Sequence, residues 1–425
     1  MEGGAPAPTR LARRITTFDA VVIGLGSMIG AGIFAAIGPA AKAAGSGLLV
    51  GLAVAAVVAY CNATSSAELA AAHPESGGTY VYGRERLGSF WGYLAGWGFV
   101  VGKTASCAAM ALTFGAYAAP HLRRPLAVAA VVLVTAINYR GVRRTVWVTR
   151  AVVAVVLASV GAVVVAALGS GEASVERLGP VVAGGVGGVL EAAGLLFFAF
   201  AGYARIATLG EEVIDPSRTV PRAIPLALGM ALAVYAVVAG SVLLAVGPDR
   251  LAESTAPLAT ATRAGSLDWL APAVAVGGAV AALGVLLSLM AGVSRTAFAM
   301  AANHDLPGVL AAVHRIHRVP HRAELAVGAV VAGLVLVADL RGAIGFSSFA
   351  VLSYYAITNV AAWTLPADQR RWPRWLTATG AAGCAALALA LPLGSVVAGA
   401  GVLGCGAGVW AIREGVIGRR QAAGR

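Results

Sequence analysis

The chain is a succession of long apolar stretches, and this pattern limits its fold more than any other feature. A helix that crosses a bilayer needs about 20 mostly apolar residues. Twelve candidate stretches are present, of which the fourth and ninth are short, at 18–42, 46–70, 88–119, 125–139, 145–168, 186–210, 223–246, 270–300, 323–339, 342–366, 374–391 and 393–412. Only 12% of the 425 residues are charged and the mean hydropathy is +0.82, which is too apolar for a soluble domain. We predict an all-α, polytopic membrane protein with about twelve transmembrane helices.

The basic residues predict the orientation of the chain. With the N-terminus inside, 22 of the 31 Lys and Arg residues fall in cytoplasmic segments and 7 in outer segments, while Lys103 and Arg205 lie at membrane depth. Cytoplasmic loops are enriched in such residues. We therefore expect a multi-pass protein of the inner (cytoplasmic) membrane, with a disordered tail at 1–14 and a second tail at 413–425, both cytoplasmic. Topology also explains the net charge of +12, so the lipid bilayer is the expected partner and nucleic acid is not.

The first span contains four glycines within residues 24–32. Each glycine weakens a helix by about 1 kcal/mol relative to alanine, so this is the softest part of the span. An unwound stretch there would expose amide N–H groups at the positive end of a half-helix, which suits a carboxylate. Residues 26–30 also form a GxxxG helix-packing pattern, and this alternative stays open.

The sixth span has a related feature, because Gly202 lies in mid-span among aromatic residues. Four full spans separate the two glycine-containing spans, and the two enter the membrane from opposite sides. Interrupted helices in corresponding positions of two inverted halves are typical of secondary transporters. We predict a first five-helix repeat at 15–168, a second inverted repeat at 186–366 and two appended helices at 374–412.

Four segments resemble those of the amino acid–polyamine–organocation permeases. They are GSMIGAGIF at 26–34, ELAAAHPESGGTY at 68–80, the sixth span with its following loop at 197–224, and the segment 294–307 that ends in NHDLP. They occur in the family's order over nearly the whole chain. The resemblance implies a leucine-transporter-type fold, with a 5+5 inverted repeat and two further helices. It also implies a secondary active transporter that moves amino acids or related amines by alternating access.

The resemblance further implies where the substrate binds. Its carboxylate would lie on backbone amides near Ser27, Ile29, Gly30, Ala31 and Gly32. Its amino group would meet carbonyls near Phe197, Phe200 and Ala201, and Gly202 and Tyr203 complete the expected substrate-binding set.

Charged and hydroxyl residues at membrane depth are the coupling and gating candidates. Proton-coupled members of the family often carry a lysine in the fifth helix, but residues 151–168 contain none, and Val156 lies near that position. Lys103 is the candidate replacement, as a proton carrier or a permanent cation. The alternatives are that it snorkels to the outer face or pairs with Glu191.

Arg205 follows the second break. It could hold a carboxylate, act as a gate, repel cationic side chains, or pair with Glu211 or Glu212. Glu211 could belong to a charged inner gate or to an ordinary solvated loop. Thr208 and Ser288 could serve a sodium site, or they could simply bond to their own helix backbone. The proton is the expected coupling ion, ahead of sodium.

Other classes of protein find little support. No HExxH or G-x-S-x-G motif supports an enzyme, and no polar pore loop supports a channel. The four cysteines lack metal-site spacing and are interpreted as packing residues. We expect no metal, no cofactor and no catalytic residue. An amino acid or polyamine exchanger, a uniporter and a non-transporting sensor remain alternatives, and the sequence indicates neither the substrate side chain nor the oligomeric state.

Overall fold

Almost every described residue lies in a helix of a multi-pass membrane bundle. The computed structural model describes residues 15–30, 32–73, 77–141, 146–169, 171, 173–180, 184–207 and 213–423, without the side chains of 146–148, 207 and 415–423. The helices are α1 (Thr17–Ile29), α2 (Gly32–Ala44), α3 (Leu48–Ala72), α4 (Thr79–Leu87), α5 (Ser89–Ala118), α6 (Arg123–Tyr139), α7 (Val146–Gly169), α8 (Gly185–Phe200), α9 (Ala204–Ala207), α10 (Pro216–Glu253), α11 (Pro257–Thr262), α12 (Ala271–Ala302), α13 (His321–Val337), α14 (Leu340–Trp363), α15 (Arg374–Ala390) and α16 (Leu393–Ala423).

Each of the twelve predicted spans coincides with a helix or with an interrupted pair of helices. Nine helical stretches in the described part of the chain are long and apolar enough to cross a membrane. The shorter α13 and α15, with 17 residues each, account for two more predicted spans. A helix of 17 residues is about 25 Å long, and about 17 residues is the lower end of the range for a transmembrane helix. The predicted fold class is confirmed, whereas the division into two inverted repeats stays a prediction.

The first predicted span is interrupted where its glycines cluster. Helix α1 ends at Ile29 and α2 begins at Gly32. The GxxxG interpretation also holds, because a Cβ on Gly26 would come within 2.7 Å of Val153, and one on Gly30 within 2.8 Å of Val285. The glycines therefore weaken the helix and at the same time allow α7 and α12 to approach it closely.

The start of α1 is set by local hydrogen bonds. The Thr16 hydroxyl accepts the Asp19 N–H at 3.2 Å, while the Asp19 carboxylate accepts from the Thr16 N–H and hydroxyl. This reciprocal capping box satisfies donors that a helix N-terminus leaves free. Asp19 also forms an ion pair with Arg150 of α7. The N-terminal end of α1 is thus fixed both by its own cap and by a neighbouring helix.

The sixth span is interrupted as well. Helix α8 ends at Phe200, residues 201–203 form one 3₁₀ turn, and α9 follows. The Tyr235 hydroxyl of α10 donates to the Ala199 carbonyl at 3.0 Å. A backbone carbonyl near the break therefore has a partner from another helix, as a membrane interior requires.

Two expectations need correction or extension. Cys61, Cys107 and Cys384 are buried, but Cys405 is exposed on α16, so the packing interpretation is wrong for that cysteine. The segment 413–425, predicted as a tail, continues α16 as a helix up to Ala423. The predicted disordered tail at 1–14 lies outside the described residues.

Candidate functional site

The two interrupted spans contact each other through glycine. A Cβ on Gly202 would lie 2.8 Å from the Met28 backbone nitrogen and closer still to the Ser27 carbonyl. A Cβ on Gly32 would collide with Ala199. Because real Cβ atoms essentially never approach backbone this closely, only glycine permits the observed contact at either position. The breaks predicted separately from the sequence form one structural unit.

A cavity of about 500 Å³ lies beside this unit. This volume falls in the usual range for small-molecule sites. The cavity also reaches Ile15 and Thr149 and the exposed Arg295, which all lie toward the predicted cytoplasmic side. The predicted site residues that line it are Ser27, Ile29, Gly30, Lys103, Ala201, Gly202 and Arg205.

The other predicted substrate-binding residues lie behind the cavity or outside the described chain. Phe197 and Tyr203 both contact the Tyr355 ring, at centroid distances of 5.8 and 5.2 Å. Phe200 contacts Tyr235 at 5.2 Å. These aromatic side chains support the second break from behind, and Gly32 supports the first against Ala199. Ala31, Thr208 and Glu211 lie outside the described residues.

Much of the cavity wall comes from residues that the sequence did not single out. Phe99 of α5 and Tyr354 of α14 line it together, with ring centroids 5.6 Å apart. The α7 and α12 walls include Val156 and Val285 as well as Ser288, one of the two possible sodium-site hydroxyls. A weak signal for Phe99 existed, since it precedes Lys103 by four residues and so lies on the same helix face. No comparable signal marks Tyr354.

Lys103 is buried in the middle of α5 and its side chain lines the cavity, with only 7% exposed. Among the described residues, none forms an ion pair or a hydrogen bond with its amine. The alternative pairing with Glu191 is wrong, because Glu191 forms an ion pair with Arg341. Val156, near the position of the family's fifth-helix lysine, lines the same cavity. Helices α5 and α7 thus each contribute one of these two positions to the cavity wall.

Arg205 lies on α9, directly after the second break, and also lines the cavity. Its two predicted partners, Glu211 and Glu212, are outside the described residues. Asp215 and Arg218, at the start of α10 and close in sequence to Glu211, form an exposed pair at 3.6 Å. The Ser217 hydroxyl and the neighbouring Arg218 charge lower the pKa of the Asp215 carboxyl.

Tyr117 lies near the end of α5 on the predicted outer side. Its ring packs edge-on against Phe34 with centroids 5.4 Å apart, and its hydroxyl donates to the Phe34 carbonyl at 3.1 Å. The same hydroxyl accepts the Leu258 N–H at 3.3 Å. Gly278 of α12 lies under the ring, because a Cβ there would come within 2.5 Å of it. Four helices, α2, α5, α11 and α12, therefore meet at Tyr117.

An ionic cluster centred on Asp305 lies at the predicted cytoplasmic side. The Asp305 carboxylate is buried and accepts from Tyr80 at 2.7 Å, Arg84 at 2.5 Å and Arg413 at 2.7 Å. Burial, and then the Asp305 carboxylate, raise the pKa of Tyr80 to about 12, so Tyr80 stays a donor at physiological pH. The cluster connects α4, the end of α12 and α16, and Tyr80 also lines the cavity.

Comparisons with known proteins agree with this architecture. A family model described as amino acid permease matches residues 15–408. The chain is 64% identical over 413 residues to an uncharacterized transporter of Mycobacterium tuberculosis, covering 97% of this chain and 94% of that protein. It is 26% identical over 388 residues to a branched-chain amino acid permease of Bacillus subtilis, covering 86% and 83%. It is 30% identical over 375 residues to cationic amino acid transporter 4 of Homo sapiens, covering 82% and 59%.

The family match includes both interrupted helices, every wall of the cavity and the Asp305, Tyr80 and Arg84 members of the ionic cluster, whereas Arg413 lies beyond its end. The resemblance seen in four short segments thus extends over nearly the whole chain. The chain belongs to the amino acid permease family, within the amino acid–polyamine–organocation superfamily.

Proposed function

We propose that this protein is a secondary active transporter that moves an amino acid or a related amine across the cytoplasmic membrane. It works by alternating access, as a proton symporter, with both termini in the cytoplasm. The observation that carries the proposal is the direct contact between the two interrupted helices beside a cavity of about 500 Å³. Interrupted helices at the centre of a bundle are where secondary transporters bind substrate and coupling ion.

The backbone at the two breaks suits a zwitterion. Helix α2 begins at Gly32, so its first N–H groups and the positive end of its dipole point into the break. Helix α8 ends at Phe200, so its last carbonyls and the negative end of its dipole lie beside Ala201. We infer that the first break holds the substrate carboxylate and the second holds its amino group. No acidic or basic side chain is required for either contact.

Access to the cavity is one-sided in this conformation. The Tyr117 contacts close the outer side, while the cavity extends to the exposed Arg295. Alternating access requires the Tyr117 contacts to open in the opposite state. We infer that the structure represents an inward-facing state, from which substrate passes to the cytoplasm.

Lys103 is proposed as the proton carrier. The chain uses arginine at 29 of its 31 basic positions and lysine only at Lys42 and Lys103. Arginine stays protonated in proteins, whereas a buried lysine can change its protonation state. Of the two α5 residues that line the cavity, Lys103 is the buried one. A lysine there can exchange a proton, whereas an arginine would stay protonated.

The test is uptake of labelled amino acids by purified protein in liposomes, with and without an inward proton gradient. We expect the gradient to stimulate uptake by the wild type and by Lys42→Ala, in which the exposed Lys42 near the end of α2 is replaced. In Lys103→Ala we expect the stimulation to be lost, so that only gradient-independent uptake remains. Equal uptake with and without the gradient would refute proton coupling and favour exchange or uniport. Amino acid binding without any flux would instead indicate a sensor.

A further inference from the structure

The cavity is basic. Among the described residues that line it, Lys103, Arg205 and Arg295 carry positive charge and none is acidic. Arg295 is exposed at the cytoplasmic end, whereas Lys103 is buried beside the substrate space. A cationic side chain in the cavity would therefore meet like charge, and no described lining carboxylate would compensate it.

The Lys103 amine lacks a described partner of opposite charge. The titratable groups around it are Cys107 one turn further along α5, Tyr80 of α4 and Tyr354 of α14, together with Arg205 and Arg295. Glu191, the partner considered for Lys103 from the sequence, pairs with Arg341, and the buried Glu324 accepts from Asn138 at 2.9 Å. An ammonium at membrane depth without a counter-charge is energetically unfavourable. A bound ligand that supplies the missing anion would remove that cost.

The substrate's own carboxylate is already assigned, by the proposed function on which this inference rests, to the amides at the first break. Lys103 is therefore free to bind a second anionic group. We propose that the substrate is an amino acid with an acidic side chain, of the aspartate or glutamate type, and that Lys103 is the residue that selects it. Proton carriage fits this role, because Lys103 holds its proton while the acidic group is bound and can release it when the substrate leaves.

This specificity differs from those named for two of the relatives, which concern branched-chain and cationic amino acids. The difference is testable, because glutamate and glutamine, or aspartate and asparagine, differ in charge but scarcely in shape. A hydrogen bond to a charged group contributes more than one between neutral groups. We expect the acidic member of each pair to compete at least about tenfold better for uptake.

The experiment is competition for uptake in proteoliposomes by acidic, amide, branched-chain and basic amino acids, on wild type, Lys103→Gln and Lys42→Gln. Support requires that wild type prefers the acidic member of each pair, that Lys103→Gln loses the preference and that Lys42→Gln keeps it. Preference of the wild type for a neutral or basic amino acid overturns the inference, even if Lys103→Gln fails to fold. Binding or uptake of no amino acid at all would instead refute the proposed function.

Discussion

Substitution of Gly202 by alanine tests whether the two breaks form one unit. The added Cβ would lie 2.8 Å from the Met28 nitrogen, whereas ordinary van der Waals contact begins at 3.4 Å. The backbone segments would have to separate by more than about 0.6 Å, because the Ser27 carbonyl lies closer still. Neither segment can move freely, because Phe200 and Tyr203 are fully buried behind the second break. Overpacking of this kind typically costs about 1–3 kcal/mol.

We therefore expect Gly202→Ala to lower the apparent Tm of the purified protein by a few degrees and to reduce uptake strongly. Gly229→Ala is the matched control, because Gly229 is exposed in the middle of α10 and a Cβ there meets nothing within 4 Å. In a helix without a clash, alanine is favoured over glycine by about 0.5–1 kcal/mol. The reasoning is refuted if Gly202→Ala retains both the wild-type Tm and wild-type uptake.

Three further substitutions test individual contacts. Tyr117→Phe removes the hydrogen bond to the Phe34 carbonyl, worth about 0.5–1.5 kcal/mol. A thiol reagent applied from outside should therefore label cysteines placed in the cavity about two- to tenfold faster. Unchanged labelling would contradict closure by Tyr117. Asp305→Asn removes the counter-charge of Arg413, which is partly exposed. The free energy of unfolding should fall by about 1–3 kcal/mol, and the Tm should fall with it. An unchanged Tm would show that the cluster does not stabilise this state. Tyr235→Phe removes the hydrogen bond to the Ala199 carbonyl near the second break. Stability should fall by about 1 kcal/mol and uptake should be reduced. Wild-type uptake would show that this hydrogen bond is dispensable.

The spans and the first break could be predicted because their signals are local. A run of about 20 apolar residues indicates a transmembrane helix whatever its neighbours are. The glycines between residues 24 and 32 lower helix stability within one short segment, and the structure interrupts the helix inside it. The 22-to-7 distribution of basic residues likewise predicts topology without any knowledge of the packing.

The cavity wall could not be predicted because it depends on which helix faces meet. Phe99 and Tyr354 are separated by more than 250 residues, and neither has a distinctive sequence context. The sequence left the partner of Lys103 open, since pairing depends on the direction in which each side chain points. Glu191 pairs with Arg341 because the starts of α8 and α14 meet, a long-range contact that local patterns do not report.

The most direct test of the central claim is substrate protection of a cysteine at the first break. Ser27 lines the cavity, so Ser27→Cys in a variant that lacks the exposed Cys405 should react with a membrane-impermeant thiol reagent applied from the cytoplasmic side. A cysteine at the exposed Ser217, away from the cavity, is the control. We predict that the transported amino acid slows labelling at position 27 several-fold and leaves labelling at position 217 unchanged. Equal labelling at position 27 with and without a substrate that is still transported would show that the substrate binds elsewhere.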